Sequence, residues 1–102
     1  MSGRFTNQKF GKYEIEYHYD QMRTRNEILF LGNKTDEIGN KFLEDKRLIG
    51  TSIKNSHNLY IFNLGECSIS LQTINNKTEI IIINSNKIKR SEAINILEEI
   101  LN

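Results

Sequence analysis

Residues 59–83 read LYIFNLGECSISLQTINNKTEIIII, and this stretch decides the fold. Leu59–Leu64 is an apolar-rich segment that stops at Gly65. Cys67–Ile74 alternates, with Cys67, Ile69 and Leu71 on one side and Ser68 and Ser70 on the other. A two-residue repeat of this kind marks a half-buried strand. Asn75-Asn76-Lys77 is turn chemistry, because asparagine tolerates positive φ. Thr78–Ile83 then returns as a nearly continuous apolar run, which predicts a central strand covered on both faces or placed at an interface. Short connections between neighbouring strands imply an antiparallel meander.

Upstream, Lys12–Tyr19 alternates strictly. Tyr13, Ile15, Tyr17 and Tyr19 fall on one side and Lys12, Glu14, Glu16 and His18 on the other. A polar turn at 20–26 and a short apolar strand at Glu27–Leu31, ended by Gly32, complete a hairpin. Gly50–Lys54 reads as a weaker strand. Two helices are predicted. In the first, 36–47, Thr35 caps, Asp36 and Glu37 occupy the first turn, and Lys46 and Arg47 the last. Ile38, Phe42 and Leu43 recur there at helical spacing, although Gly39 lowers helix propensity by about 1 kcal/mol. In the second, 91–101, Ser91 caps and Ala93, Ile94, Leu97, Ile100 and Leu101 make one apolar stripe. Residues 1–9 are polar around an isolated Phe5 and read as a partly ordered arm. The expected architecture is α+β: an antiparallel sheet of about five to six strands with the two helices on one face, all within a single domain spanning 1–102.

Composition narrows the functional classes. With 102 residues, 37% hydrophobic and 26% charged, the chain has the balance of a globular domain. A net charge of +1 provides no global field for nucleic acid or membranes. Apolar runs such as Ile80–Ile83 fall far short of the roughly 20 residues that span a bilayer. The opening MSGRFTNQKF has no apolar segment resembling a secretory signal, and a single cysteine cannot close an internal disulfide, so a cytoplasmic location is expected. Cys67, on the strand face shared by Ile69 and Leu71, reads as a small buried hydrophobe rather than a nucleophile. The sequons at Asn33 and Asn76 read as turn residues. The wealth of isoleucine, asparagine and lysine, without valine or proline, suggests an AT-rich source genome, bacterial or phage.

Several clusters are candidates for chemistry. Glu14, Glu16, His18 and Asp20 share one strand face at intervals of about 6.5–7 Å. Such a set suits a divalent metal or an acid–base pair, with Glu16, His18 and Asp20 the weak metal candidates, but a solvated strand face needs no ligand at all. Tyr13, Tyr17 and Tyr19 on the opposite face resemble a stacking platform for single-stranded nucleic acid, although Ile15 among them favours core packing. Arg23 and Arg25 lie at a hairpin tip. Lys87, Lys89 and Arg90 precede the second helix, where free N–H groups attract anions. His57 occupies a polar loop near Ser52 and Ser56, yet no G-x-S-x-G, H-E-x-x-H, C-x-x-C or phosphate-binding glycine loop accompanies it.

The sequence therefore leads to a small non-enzymatic binding protein without cofactors, of the inhibitor, immunity or phage anti-defence kind, whose partner is another protein. The alternatives are an RNA or single-stranded DNA binder using the tyrosine stripe and basic loops, and a small metal-dependent nuclease or phosphodiesterase. A homodimer through 27–31 or Ile80–Ile83 is a further expectation.

Overall fold

The computed structural model describes residues 2–20, 22–53 and 59–102. Its elements in chain order are β1 (Ser2–Phe10), β2 (Tyr13–Asp20), β3 (Arg25–Phe30), α1 (Thr35–Glu44), β4 (Ile49–Ile53), β5 (Leu59–Leu64), β6 (Cys67–Ile74), β7 (Lys77–Ile83) and α2 (Lys87–Leu101). The strands form one seven-stranded antiparallel sheet in the order β1-β2-β3-β7-β6-β5-β4. The hairpin β2–β3 and the meander β5–β6–β7 form as the sequence predicts. Tertiary structure adds the join between them: β3 pairs with β7, with Ile28 opposite Ile80 and Arg25 opposite Ile83.

The sheet has one strand more than the upper expectation, and the surplus comes from the N-terminal arm. β1 pairs along β2, with Phe5 opposite Tyr17 and Phe10 opposite Tyr13, and its register slips between Phe5 and Gln8. Asn7 in that interval has φ 56°. The inserted residue lets Phe5 and Phe10, five apart, reach the same side of the sheet. An unbroken strand would place them on opposite sides. A search for strict alternation misses such a strand.

Both helices pack on one face. Tyr13, Ile15, Ile28, Phe30, Ile80, Ile82, Ile69, Leu71, Tyr60 and Phe62 point toward them from the sheet and meet Ile38, Phe42, Ala93, Leu97 and Leu101. Helix α1 is shorter than predicted at its C-terminal end. The Asp45 carboxylate accepts from the Arg47 backbone N–H at 2.9 Å and from the Arg47 guanidinium, which folds the chain away from helical geometry. Thr35 does not cap. It is the first helical residue and is buried, its hydroxyl 3.1 Å from Thr78 Oγ1 and 2.7 Å from Thr73 Oγ1. Helix α2 starts four residues before the expected Ser91, because Asn86 Oδ1 accepts from the N–H groups of Ile88 and Lys89 at 2.9 and 3.3 Å. Among the described residues, no helix is long and apolar enough to cross a membrane.

Candidate functional site: the open face and the arginine rim

The second face of the sheet carries no helix among the described elements. Its side chains come in rows set by the strand register. One row runs Arg4, His18, Glu27, Ile81, Ser70, Ile61, and the next runs Asp20, Arg25, Ile83, Ser68, Asn63, Ile49. In these two rows charge collects on β1–β3, while β7–β5 contribute isoleucine, serine and asparagine; Glu79, bonded to Gln72 at 3.3 Å, brings a charge to the open face of β7 in the row beyond. The expectation that Thr78–Ile83 is covered on both faces fails within one chain. Ile80 and Ile82 are fully buried under the helices, whereas Ile83 is 45% exposed.

At the charged end lies a concavity of about 450 Å³, lined by Arg4, His18, Asp20, Arg25 and Glu27 with Gly3 and Tyr19 at its wall. Glu16 stands beside it, accepting from Arg4 at 3.1 and 3.2 Å and lying 3.4 Å from His18 Nε2. The Arg4 guanidinium, and after it His18, hold the Glu16 carboxyl below its ordinary range. Arg25 grips Glu27 at 2.6 Å, but its Nε is buried with no hydrogen-bond partner. Asp20 Oδ1 accepts from the backbone N–H groups of Met22 and Arg23 and so fixes the turn that carries Arg23.

The expected carboxylate–histidine face thus exists, but its members already have work. Glu14 lies 3.6 Å from Lys9, Glu16 serves Arg4 and His18, and Asp20 serves the turn. Among the described residues, no three His, Cys, Asp or Glu side chains converge as a metal site.

The tyrosines lie on the helix side and have separate fates. Tyr13 is buried edge-on to Phe30 and donates to Glu37 at 2.6 Å, so it offers no face to a base. Tyr17 accepts from Asn26, and Phe5 stacks on both Tyr17 and Tyr19. Tyr19 also lies directly over Gly3, where an added Cβ would sit 2.4 Å from the ring.

The two basic segments, about sixty residues apart in sequence, meet at one end of the molecule. The Asn84 N–H donates to Thr24 O at 3.1 Å, joining the β2–β3 turn to the β7–α2 junction. Arg23, Arg25, Lys87 and Lys89 belong to that end. Arg90 does not line the surface as expected. It is 4% exposed, with Nε donating to Asn26 Oδ1 at 2.7 Å and Nη1 to the Asn84 carbonyl. The same network reaches Cys67, whose buried thiol has its pKa raised by desolvation and lies 3.5 Å from Asn84 Nδ2. Sequence reading missed this polar cluster, since Asn26, Asn84 and Arg90 carry no common motif. His57 and Ser56 lie outside the described residues, as does the side chain of Ser52. Comparison with protein-family models, curated proteins and solved structures returns no match.

Proposed function

We propose that this chain is a protein-binding module of the inhibitor or immunity kind, and that its partner docks on the arginine rim and the adjoining concavity. The observation that carries this reading is the concavity lined by Arg4 and Arg25, where Arg25 Nε is buried without an acceptor, at the end of the sheet where the β2–β3 turn meets the β7–α2 junction. A buried donor without a partner is costly, and a carbonyl or carboxylate from a docking protein would relieve it. The cavity wall alternates in sign: Arg4 with Glu16, Arg25 with Glu27, Arg23 with Asp20 at 3.6 Å. Such a wall complements a polypeptide, which presents donors and acceptors together. It suits a phosphate chain less well, because each arginine would first have to release a carboxylate.

The test is affinity capture from cell lysate, with and without nuclease, using wild type, Arg25→Ala and Lys89→Glu. The expected result is one protein retained by wild type after nuclease, with its affinity for Arg25→Ala lowered about tenfold, which corresponds to about 1.4 kcal/mol. Captured material that nuclease removes would transfer the rim to nucleic acid. Equal retention by all three chains would remove the rim as the site.

A further inference from the structure

We propose, resting on the docking reading above, that the concavity takes a carboxylate side chain of the docking protein and that His18 takes up a proton as it enters. His18 occupies the middle of the wall. Across the sheet it stands opposite Arg4 on β1 and Glu27 on β3, with Glu16 and Asp20 on either side of it along β2. The charged side chains around it pair off, Arg4 with Glu16, Arg25 with Glu27 and Arg23 with Asp20. With His18 neutral, these groups carry no net charge. Arg25 Nε still calls for an acceptor, since it is buried without a hydrogen-bond partner. Asp20 and Glu27 do not supply one: the first accepts from the N–H groups of Met22 and Arg23, the second from Arg25 Nη2.

A carbonyl would satisfy that donor without changing the charge, but a carboxylate bonds to a guanidinium roughly twice as strongly. Its negative charge would go uncompensated in a partly buried site unless a positive charge arrived with it. Histidine is the side chain that gains one in the physiological pH range. His18 is open to solvent, its side chain 33% exposed, and its Nε2 lies 3.4 Å from Glu16 Oε2, so a proton there has an acceptor at hand. One proton offsets one carboxylate. That match favours a single acidic side chain over a run of phosphates, each of which brings its own charge.

Two-dimensional NMR on the full chain, reading the Arg25 Nε–H signal, tests this with acetyl-Gly-Glu-Gly-amide and its glutamine counterpart. Each peptide is titrated to about 20 mM at about pH 6 and about pH 8, where a free glutamate stays ionised. The glutamate peptide alone should shift the signal, with affinity about tenfold higher at the lower pH. His18→Gln should bind it equally at both pH values. That variant keeps the chain's other histidine, His57, so a pH effect surviving in it overturns the coupling. Arg25→Ala should lose the peptide's effect on neighbouring amide signals. Dispersed amide spectra establish that both variants are folded, and the wild-type titration needs neither. Equal binding of the glutamine peptide, or equal affinity at both pH values, overturns the proposal. So does binding of neither peptide. Capture of a protein by wild type, weakened in Arg25→Ala, would in each case leave the docking reading standing on its own.

Discussion

At the scale of single residues, two positions show how contact overrides intrinsic preference. Gly39 looks like a weakness in α1, but a Cβ there would lie 2.5 Å from the Tyr60 ring. The glycine exists to admit Tyr60, whose hydroxyl donates to Asp36 at 2.8 Å. Gly39→Ala should therefore destabilise the fold by about 1–2 kcal/mol in urea titration, despite a propensity gain of about 1 kcal/mol. A stabilised variant would show that the ring moves freely. Arg90 is buried with a fork of hydrogen bonds and, among the described residues, no carboxylate in an ion pair with it. Its role is geometric, since Asn26 and Asn84 would lose their donor without it. Arg90→Met should cost about 2–4 kcal/mol, and Arg90→Lys should fail to rescue, because an ammonium cannot reproduce two directed N–H groups. Rescue by lysine would mean that charge alone matters.

At the scale of elements, β7 and α2 carry the measurable contrasts. Ile82 and Ile83 are neighbours on the central strand but face opposite sides, one fully buried and one half exposed. In unfolding experiments at low micromolar concentration, Ile82→Ala should cost about 3–4 kcal/mol and Ile83→Ala less than about 1 kcal/mol. Comparable costs would place a second layer over Ile83 within the single chain. The start of α2 rests on Asn86, and Asn86→Ala should lose about 1 kcal/mol, against a few tenths for Ser91→Ala. The sequence signalled the helix and its apolar stripe but pointed to Ser91 as the cap, whereas Asn86, five residues earlier, takes that place. Asn86 prevails because its neighbour Asn84 is anchored: Asn84 Oδ1 accepts from the Asn86 N–H at 2.6 Å. Local pattern could not show that. The turn at Asn75 and Asn76 was legible, and both residues adopt positive φ, 51° and 62°.

For the whole molecule, the pH dependence of stability follows from groups tying separate elements together. Arg47 holds Asp45 at 2.9 Å and reaches Glu99 on α2 at 3.3 Å, and this pairing keeps the Asp45 carboxyl at about 2 instead of its ordinary 3.8. Glu16, beside Arg4, and Glu37, which accepts from Tyr13, are also lowered. Because folding depresses these acids, their contribution is complete above about pH 5 and is lost as pH falls from about 4 toward 2. Tyr13 has the opposite sign. Burial, and then its bond to Glu37, push the phenol up to about 12, so its contribution is complete below pH 10 and fades between 10 and 12. Melting temperature against pH should show a plateau with a fall at each end. Arg47→Ala should flatten the acid limb and leave the alkaline one unchanged. An unaltered acid limb would show that Asp45 is equally depressed in the unfolded chain.

Alternation and turn residues alone specified the hairpin, the meander, both helices and the α+β class, because backbone geometry near each residue enforces those patterns. The seventh strand, the Arg90 cluster and the meeting of two basic segments at one rim came only with tertiary structure. Each depends on contacts between residues far apart in the chain: a bulge that lines up Phe5 with Phe10, a carbonyl that takes Arg90, a hydrogen bond from Asn84 to Thr24. Side-chain periodicity records what a residue's neighbours along the chain require, whereas which segments meet is decided by the packing of the whole sheet.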